Sequence, residues 1–289
     1  MHPLIAELLA SGPVLTDGAW GTQLQERGLA VGEFPDGWNL TQPSKVVEVA
    51  QAYVDAGSRV ILTNTFGANR VRLAESGLVS QWRELNESGV RHSKAAAGGR
   101  ARVFASIGPC GKMLITGEVT EDQLRSTFEE QAFALAAGGA DGLVVETMSD
   151  LAEACLAVIA AKKTGLPVVG CMVFDTGREK DRTMMGTTPE QSAKALTEAG
   201  ADVVGANCGQ GVAGFVKIAK RLRAATDRPI WIKANAGLPE MVDGHVLYRT
   251  TADEFSQWVP ELVAAGASFV GGCCGTSPDF IRACAGRLS

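Results

Sequence analysis

The sequence lacks the features that mark membrane, secreted and nucleic-acid-binding proteins. It contains no apolar run as long as a membrane span, and its N-terminus, MHPLIAELLASG, has no basic leader and carries Glu7 within its short apolar stretch. The 27 basic and 32 acidic side chains give a net charge of −5 without a basic stripe. We therefore expect an N-terminal helix in place of a signal peptide, and neither a membrane nor a nucleic acid as a partner.

Histidine is scarce, whereas cysteine is not. The three histidines are scattered without the spacing of metal ligands, so we expect no histidine-based metal site. Seven cysteines in a chain without a secretory signal indicate a reducing, cytoplasmic compartment. In such a compartment, clustered thiols are more often metal ligands or reactive groups than disulfides.

Short β-rich apolar runs alternate along the chain with longer alanine-rich helical runs. Eight strands are predicted, at Pro13–Asp17, Arg59–Asn64, Arg102–Ile107, Gly142–Glu146, Pro167–Val173, Asp202–Asn207, Pro229–Lys233 and Ser268–Gly272. The helices predicted between them include Pro43–Ala56, Glu121–Ala137, Asp150–Lys163, Pro189–Ala199, Gly214–Ala225, Ala252–Ala265 and Pro278–Arg287. Several helices end in AGS, GGAD, AGAD or AGAS, where a glycine in the left-handed conformation ends the helix before the next strand.

This alternation predicts an α/β protein with a (β/α)8 TIM barrel, and a doubly wound open sheet is the alternative. No linker rich in proline, glycine and serine divides the chain, so a single domain over residues 1–289 is expected. In such a barrel, the C-terminal ends of the strands carry the chemistry. Several predicted strand ends are polar or carry cysteine, at Asp17-Gly18-Ala19, Asn64, Phe66, Glu146, Asn207-Cys208, Asn235 and Cys273-Cys274.

Three of these cysteines suit one metal ion. Cys208 would end the sixth strand and Cys273-Cys274 the eighth, which gives three thiolates at one mouth. Zinc accepts sulfur ligands in tetrahedral geometry, and a catalytic site keeps its fourth position open for substrate. Neighbouring residues of a regular strand point to opposite faces, so the chain must bend at the pair. Glycines at 271, 272 and 275 supply that freedom.

Three thiolates would leave zinc with a net negative charge, which suits it to hold a substrate thiol as a nucleophilic thiolate. Two other interpretations stay open at this point. The cysteine pair can be two packed side chains, or it can belong to a non-catalytic barrel that holds zinc or senses redox state through a vicinal cysteine pair. The remaining cysteines, at 110, 155, 171 and 284, lie in helical, strand or turn patterns and are interpreted as structural.

Six motifs resemble the homocysteine S-methyltransferase family: DGAWGT (17–22), TNTFGAN (63–69), ET (146–147), GANCG (205–209), KANAGLP (233–239) and GGCCGT (271–276). That family includes the homocysteine domain of cobalamin-dependent methionine synthase, betaine–homocysteine methyltransferase and S-methylmethionine-dependent enzymes. The motifs extend over nearly the whole chain. The resemblance implies a (β/α)8 barrel, zinc on Cys208, Cys273 and Cys274, and methyl transfer to the sulfur of homocysteine to form methionine.

The resemblance also implies how homocysteine binds. Asp17 and Glu146 would hold its ammonium group, and the backbone amides of Gly18 and Ala19 would receive its carboxylate. Two carboxylates that face one ammonium reduce the unfavourable desolvation that a single one would meet. On the same basis we expect the asparagines of the motifs to line the substrate site, at Asn64, Asn207 and Asn235.

The methyl donor is left open by the sequence. The chain ends at Ser289, just past the last predicted helix, so we expect either a small onium donor or a methylcorrinoid or methyl-folate system on a separate protein. An onium donor needs an aromatic cage, for which Trp38 and Phe66 are the candidates. Against a cage, only 6% of the chain is aromatic. Gly67 and Thr147 also replace aromatic residues that betaine-type relatives have.

Overall fold

The computed structural model describes residues 1–242 and 245–288, which contain eight parallel strands arranged as a barrel. The barrel strands are β1 (Val14–Leu15), β2 (Val60–Ile61), β3 (Arg102–Ile107), β4 (Gly142–Met148), β5 (Val168–Met172), β6 (Val203–Gly211), β7 (Ile230–Asn235) and β10 (Ala267–Gly272). They pair in the order β1-β10-β7-β6-β5-β4-β3-β2. A parallel bridge between Thr16 and Val60 brings β1 against β2. The predicted (β/α)8 barrel and all eight predicted strands are confirmed.

The strands are buried because helices cover the sheet from outside and large side chains fill it from inside. All positions of β5 and β7 are buried, as expected for parallel strands with both faces covered. Inside the barrel, the rings of Phe104 and Phe269 lie 6.3 Å and 5.2 Å from that of Trp231. Ile5 and Leu8 of the N-terminal helix belong to the same cluster. The barrel is therefore a packed core that is open to chemistry only at its mouth.

The helices of the described chain connect the strands and cover the barrel. They are α1 (Pro3–Leu9), α2 (Gly21–Glu26), α3 (Trp38–Thr41), α4 (Pro43–Asp55), α5 (Arg70–Leu73), α6 (Trp82–Ala97), α7 (Glu121–Ala137), α8 (Leu151–Lys162), α9 (Pro189–Glu198), α10 (Val212–Ala225), α11 (Ala252–Ser256), α12 (Val259–Ala264) and α13 (Pro278–Leu288). The predicted glycine ends are confirmed, since Gly57, Gly139, Gly200 and Gly266 all have φ between 96° and 105°.

Besides the short helices α2, α3 and α5, three features differ from the predicted elements. Helix α6 was not predicted, because its sequence is polar and contains Gly89. A side chain at Gly89 would lie 2.6 Å from atoms of Asn39 and Thr65, so close packing explains this glycine. The predicted helix over 252–265 is divided into α11 and α12, because Pro260 lies in the first turn of α12 and lacks a backbone N–H. The antiparallel hairpin of β8 (Glu240–Val242) and β9 (His245–Leu247) was also not predicted.

Within the described residues, every helix is too short or too polar to span a lipid bilayer.

Candidate active site

The three predicted cysteines meet at the mouth of the barrel. Cys208 lies near the end of β6, and Cys273 and Cys274 directly follow β10. Both strands pair with β7, on opposite sides of it. The three sulfur atoms lie within 4.8 Å of one another, and those of Cys208 and Cys274 are 3.7 Å apart. The other four cysteines lie elsewhere and form no disulfide.

The backbone bends at both strand ends to bring the sulfurs together. Cys208 has φ of 63°, a left-handed conformation that is uncommon for a residue with a side chain. Gly275 has φ of 80°, so a glycine is required there by conformation. Gly271 and Gly272 have a different role from the predicted one. A side chain on either would approach the hydroxyl of Thr16 or Thr276 to 2.0–2.2 Å, so close packing accounts for both.

The cysteine cluster fits a zinc ion. Tetrahedral coordination with Zn–S bonds of about 2.3 Å places sulfurs about 3.8 Å apart, close to the 3.7 Å between Cys208 and Cys274. Hydrogen bonds from Cys273 and Cys274 lower the pKa of Cys208 to about 3, while the pKa values of both donors are raised. The cluster alone therefore favours one thiolate, and a divalent cation bound to all three sulfurs would favour their ionised forms.

Asn235 adds a second observation that suits a cation. It ends β7 between the two cysteine-bearing strands. Its Oδ1 atom is buried and has no hydrogen-bond partner among the described residues. Buried polar atoms without a partner are uncommon in folded proteins. This oxygen is therefore available to accept a bond from a cation or a bound substrate.

Asp17 lies at the end of β1 and is completely buried. Its carboxylate accepts hydrogen bonds from the Leu62 backbone N–H at 2.7 Å and from Trp20 Nε1 at 2.8 Å. It also forms an ion pair with Lys233 of β7, whose side chain is 2% exposed. Burial opposes the charge of Lys233, but the carboxylates of Asp17 and Glu146 outweigh it and raise the pKa of Lys233. The predicted contact of Asp17 with substrate stays a prediction, since its oxygens are closed to solvent here.

Glu146 lies in β4 and is the more open of the two carboxylates, with 8% of its surface exposed. It accepts hydrogen bonds from the Ser106 hydroxyl and, at 3.3 Å, from Asn207 Nδ2. Burial raises the pKa of Glu146 to about 7, although the nearby charge of Lys233 lowers it. The same Asn207 nitrogen lies 3.7 Å from the sulfur of Cys273. Asn207 therefore links the carboxylate to the cysteine cluster.

The loop after Asp17 is held by its neighbours in the fold. The Ala19 N–H donates to the hydroxyl of Thr276 at 3.1 Å, and the Ala19 carbonyl accepts from Tyr53 at 2.6 Å. A side chain at Gly18 would lie 2.8 Å from atoms of Thr276 and Tyr53. A substrate carboxylate would have to compete with Thr276 for the Ala19 amide. The expected role of Gly18 and Ala19 in carboxylate binding stays a prediction.

Asn64 and the two aromatic candidates occupy the neighbouring loops. Asn64 Nδ2 donates to the Pro35 carbonyl at 2.8 Å and so holds the loop together. Trp38 is only 3% exposed, and Lys45 Nζ lies 4.8 Å from the centre of its ring. The face of the Trp38 ring is therefore already covered by a positively charged side chain of the protein. Phe66 is half-buried.

The sequence profile of the homocysteine S-methyltransferase family matches residues 14–288. The chain belongs to this family. It is 29% identical over 301 residues to a methionine synthase of Mycobacterium leprae and 28% identical over 304 residues to that of Mycobacterium tuberculosis. Each alignment covers 99% of this chain and 25% of the relative, so the chain spans a quarter of the length of these relatives.

The fold agrees with solved structures of a homocysteine methyltransferase. The metallated form of the Escherichia coli homocysteine methyltransferase MmuM superposes with a TM-score of 0.83 at 23% identity, covering 99% of this chain and 100% of that one. The oxidised form gives a TM-score of 0.82 at 22% identity with the same coverage. At this level of identity the likeness shows the barrel fold.

Several side chains at the mouth of the barrel were not predicted from the sequence. Lys233 was placed in a strand without a role, although a lysine at the end of the apolar run PIWIK was a signal of a buried charge. Ser106 and Thr276 gave no signal, because their roles depend on hydrogen bonds between distant segments. Tyr248 also gave none. Its ring lies where a side chain at Gly275 would project, and burial together with the nearby Cys274 raises its pKa.

Proposed function

We propose that this chain is a zinc-dependent homocysteine S-methyltransferase that forms methionine. The observation that carries the proposal is the cluster of Cys208, Cys273 and Cys274 beside the buried carboxylate of Glu146. Homocysteine has a thiol at one end and an ammonium group at the other, and the mouth offers a complementary group to each. Membership of the homocysteine S-methyltransferase family supports the same acceptor.

Cys208, Cys273 and Cys274 would hold the ion, with Asn235 Oδ1 beside them. Bound zinc would supply the Lewis acidity that keeps a thiol ionised at neutral pH. Because these ligands must stay reduced, we propose a reducing compartment, the cytoplasm, as the place of action.

The remaining groups would bind and orient homocysteine. Glu146 would accept the ammonium group, in a buried setting where charge–charge attraction is stronger than in water. Asn207 fixes the carboxylate of Glu146 relative to the sulfur of Cys273 through its bonds at 3.3 Å and 3.7 Å. Thr147 fixes Asn207 in turn, because its N–H donates to Asn207 Oδ1 at 2.7 Å. This chain of contacts would hold the two ends of the substrate at a set separation.

The donor remains a choice between a small onium compound and a methylcorrinoid or methyl-folate system. Lys45 over the ring of Trp38 counts against a cage around an onium methyl group, because the lysine must withdraw first. The methionine synthases that resemble the chain are about four times its length, which favours a donor carried by another protein or by further domains.

A donor panel tests the proposed function. The zinc-loaded protein is incubated with homocysteine and, separately, betaine, S-methylmethionine, S-adenosylmethionine or methylcobalamin, and methionine is measured. We expect methionine with at least one donor and none with Cys208→Ser. Absence of methionine with every donor, together with absence of homocysteine binding by calorimetry, would refute the proposal. A redox-sensing barrel instead predicts a metal-free protein with a reversible Cys273–Cys274 disulfide.

A further inference from the structure

The strand that carries Cys208 leaves its regular pairing at the cysteine. β6 pairs with β7 at Asn207 and again at Gly211, and the register shifts between these two positions. Residues 208–210 therefore form a bulge, which redirects the side chains that it contains. Within it, Cys208 has φ of 63° and Gly209 has φ of 78°. Because the left-handed region is unfavourable for a residue with a side chain, the surrounding structure must hold Cys208 in this conformation.

Gln210, the last residue of the bulge, anchors it to the rest of the barrel. Its side chain is 7% exposed. Its Nε2 atom donates to the carbonyl of Lys180 at 3.0 Å and to that of Phe174 at 3.3 Å. A glutamine amide has two N–H donors, so both hydrogen bonds can form at once. Since both acceptors belong to the loop that follows β5, Gln210 fastens the bulge of one strand to the end of its neighbour.

Gly214 makes room for this amide. It lies in the first turn of α10, and a side chain there would lie 2.0 Å from Oε1 of Gln210 and 2.7 Å from its Cδ. Glycine is a weak helix former, so its presence inside a helix needs a reason of packing. The contact supplies that reason. Gly214 and Gln210 therefore form one unit, in which the missing side chain lets the amide lie against the helix and reach both carbonyls.

The loop that accepts these bonds is itself held in place. On either side of Lys180, Glu179 pairs with Lys217 at 2.9 Å and Asp181 pairs with Arg221. Both basic residues lie on α10, the helix that follows the bulge. Exposed ion pairs contribute little to stability, but here they restrain the segment that carries an acceptor carbonyl. The buried amide is thus bonded to a fixed point.

We propose that Gln210 is a positioning residue for the metal: its two hydrogen bonds fix the bulge that places the sulfur of Cys208 beside those of Cys273 and Cys274. Gln210 acts through the backbone of the bulge and not by binding the ion itself. This inference rests on the proposed function, since it takes zinc as the bound ion.

The first test removes the hydrogen bonds and keeps the volume. Gln210→Met retains the length of the side chain and loses both donors. We expect its zinc affinity to fall by about 10–100-fold, the usual effect of losing a group that orients a metal ligand. The matched control is Gln131→Met on α7. Gln131 is 1% exposed and donates to the carbonyl of Thr65 at 2.9 Å and to Oδ1 of Asn86 at 3.3 Å, so it loses comparable buried bonds and should retain the zinc affinity of the parent.

The second test leaves the glutamine in place and displaces it. In Gly214→Ala the new methyl group should push the amide away from its two carbonyls, and zinc affinity should fall by about tenfold or more. In a Gln210→Ala background the space beside residue 214 is open. Adding Gly214→Ala there should change zinc affinity by less than about twofold, because the two residues act as a unit.

Zinc affinity is measured by competition with a chromogenic chelator, and thermal unfolding shows that each variant is folded. Cobalt(II) bound in place of zinc gives a second measurement, because its visible absorption depends on the number and geometry of its ligands. We expect a changed cobalt spectrum in Gln210→Met and Gly214→Ala and an unchanged one in Gln131→Met. A loss of stability alone would not alter the spectrum of the folded, loaded protein.

The outcomes separate this inference from the proposed function. A Gln210→Met variant with the zinc affinity and cobalt spectrum of the parent would overturn the inference. Equal losses from Gly214→Ala with and without Gln210 would overturn it as well, and this comparison decides the question if Gln210→Met does not fold. A parent protein that binds no zinc would refute both. A parent that binds zinc and forms no methionine would refute methyl transfer alone and leave the role of Gln210 intact.

Discussion

Cys208 combines a left-handed backbone, at φ of 63°, with a sulfur 3.7 Å from that of Cys274. Its side chain is the only one of the cluster that comes from β6, so no neighbouring cysteine can replace it. We expect about one zinc per chain in the parent protein and a loss of most of it in Cys208→Ser. Metal analysis after purification under reducing conditions measures this. Cys155→Ser, on helix α8 outside the cluster, is the control and should retain its zinc. Full retention in Cys208→Ser would contradict the three-cysteine site.

Glu146 gives the site a pH dependence with a defined sign. Its pKa of about 7 lies above the ordinary 4.5, so the carboxyl takes up a proton as the pH falls below 7. Homocysteine should then bind more weakly, by up to about tenfold per pH unit, because a neutral carboxyl attracts its ammonium less. In Glu146→Gln, homocysteine should bind weakly over the whole pH range. The part of the pH dependence that comes from this carboxyl should then be absent. The measurement is calorimetric affinity between about pH 6 and pH 8; parallel profiles for the two proteins would contradict the assignment.

The same carboxyl should affect stability in the opposite sense: as the pH rises, homocysteine binds more tightly while the free energy of unfolding falls. A carboxyl whose pKa is raised by folding contributes stability that is fully present below its unfolded value, 4.5, and is lost as the pH rises through about 7. The free energy of unfolding of the metal-free protein should therefore lose this contribution across that interval. Denaturant unfolding of Glu146→Gln should show a smaller decline, and an identical decline would indicate that Glu146 titrates normally.

The residues that sequence reasoning found are those that lie at strand ends. Cys208, Cys273 and Glu146 could be located because the ends of parallel strands meet at one mouth. The state of Asp17 could not, because its closure depends on Lys233, which is 216 positions away in the chain. Trp38 could be named from the sequence as a candidate aromatic residue. Its neighbours could not be predicted, because the position of Lys45 over its ring depends on a tertiary contact.

At the scale of elements, the turn that follows β10 determines where Cys274 points. Gly275 has φ of 80°, and a side chain there would lie 2.2 Å from the ring of Tyr248. Gly275→Ala should therefore strain the turn and displace Tyr248, which costs about 1–3 kcal/mol of stability and weakens zinc binding. Thermal unfolding and zinc titration measure the two effects. Gly286→Ala, in helix α13 where a new side chain meets no atom of the described residues within 4 Å, is the control. Equal behaviour of the two variants would argue against a constraint at Gly275.

Elements with a strong local pattern were predictable, and those set by packing were not. Each strand of the barrel is an apolar run that starts soon after a helix-ending glycine or a proline. Helix α6 is polar on average, and its Gly89 is a weak helix former retained where Asn39 and Thr65 approach. Strands β8 and β9 have three residues each, too few to produce a recognisable alternation.

For the whole molecule, the cluster joins strands that are not neighbours in the sheet. Cys208 belongs to β6 and Cys273 and Cys274 follow β10, with β7 between them. A metal bound only by the folded barrel should stabilise it by about 2.7 kcal/mol at a free concentration about 100 times Kd. For a domain of this size that equals about 4 °C in Tm. Calorimetric melting with zinc or with a chelator measures the difference, and Cys208→Ser should show almost none. An equal shift in that variant would place the stabilising ion elsewhere.

The packing of helix α1 against the base of the barrel has a consequence for the order in which substrates bind. Ile5 and Leu8 pack with Phe104 and Trp231 at the base of the barrel, so the described residues close that end and leave the mouth as the entrance. Glu146 lies nearly buried behind that opening. A methyl donor seated at the entrance would block the path of homocysteine. Under the proposed function, turnover should therefore follow a compulsory order, in which homocysteine enters first and methionine departs last, after the spent donor has cleared the entrance.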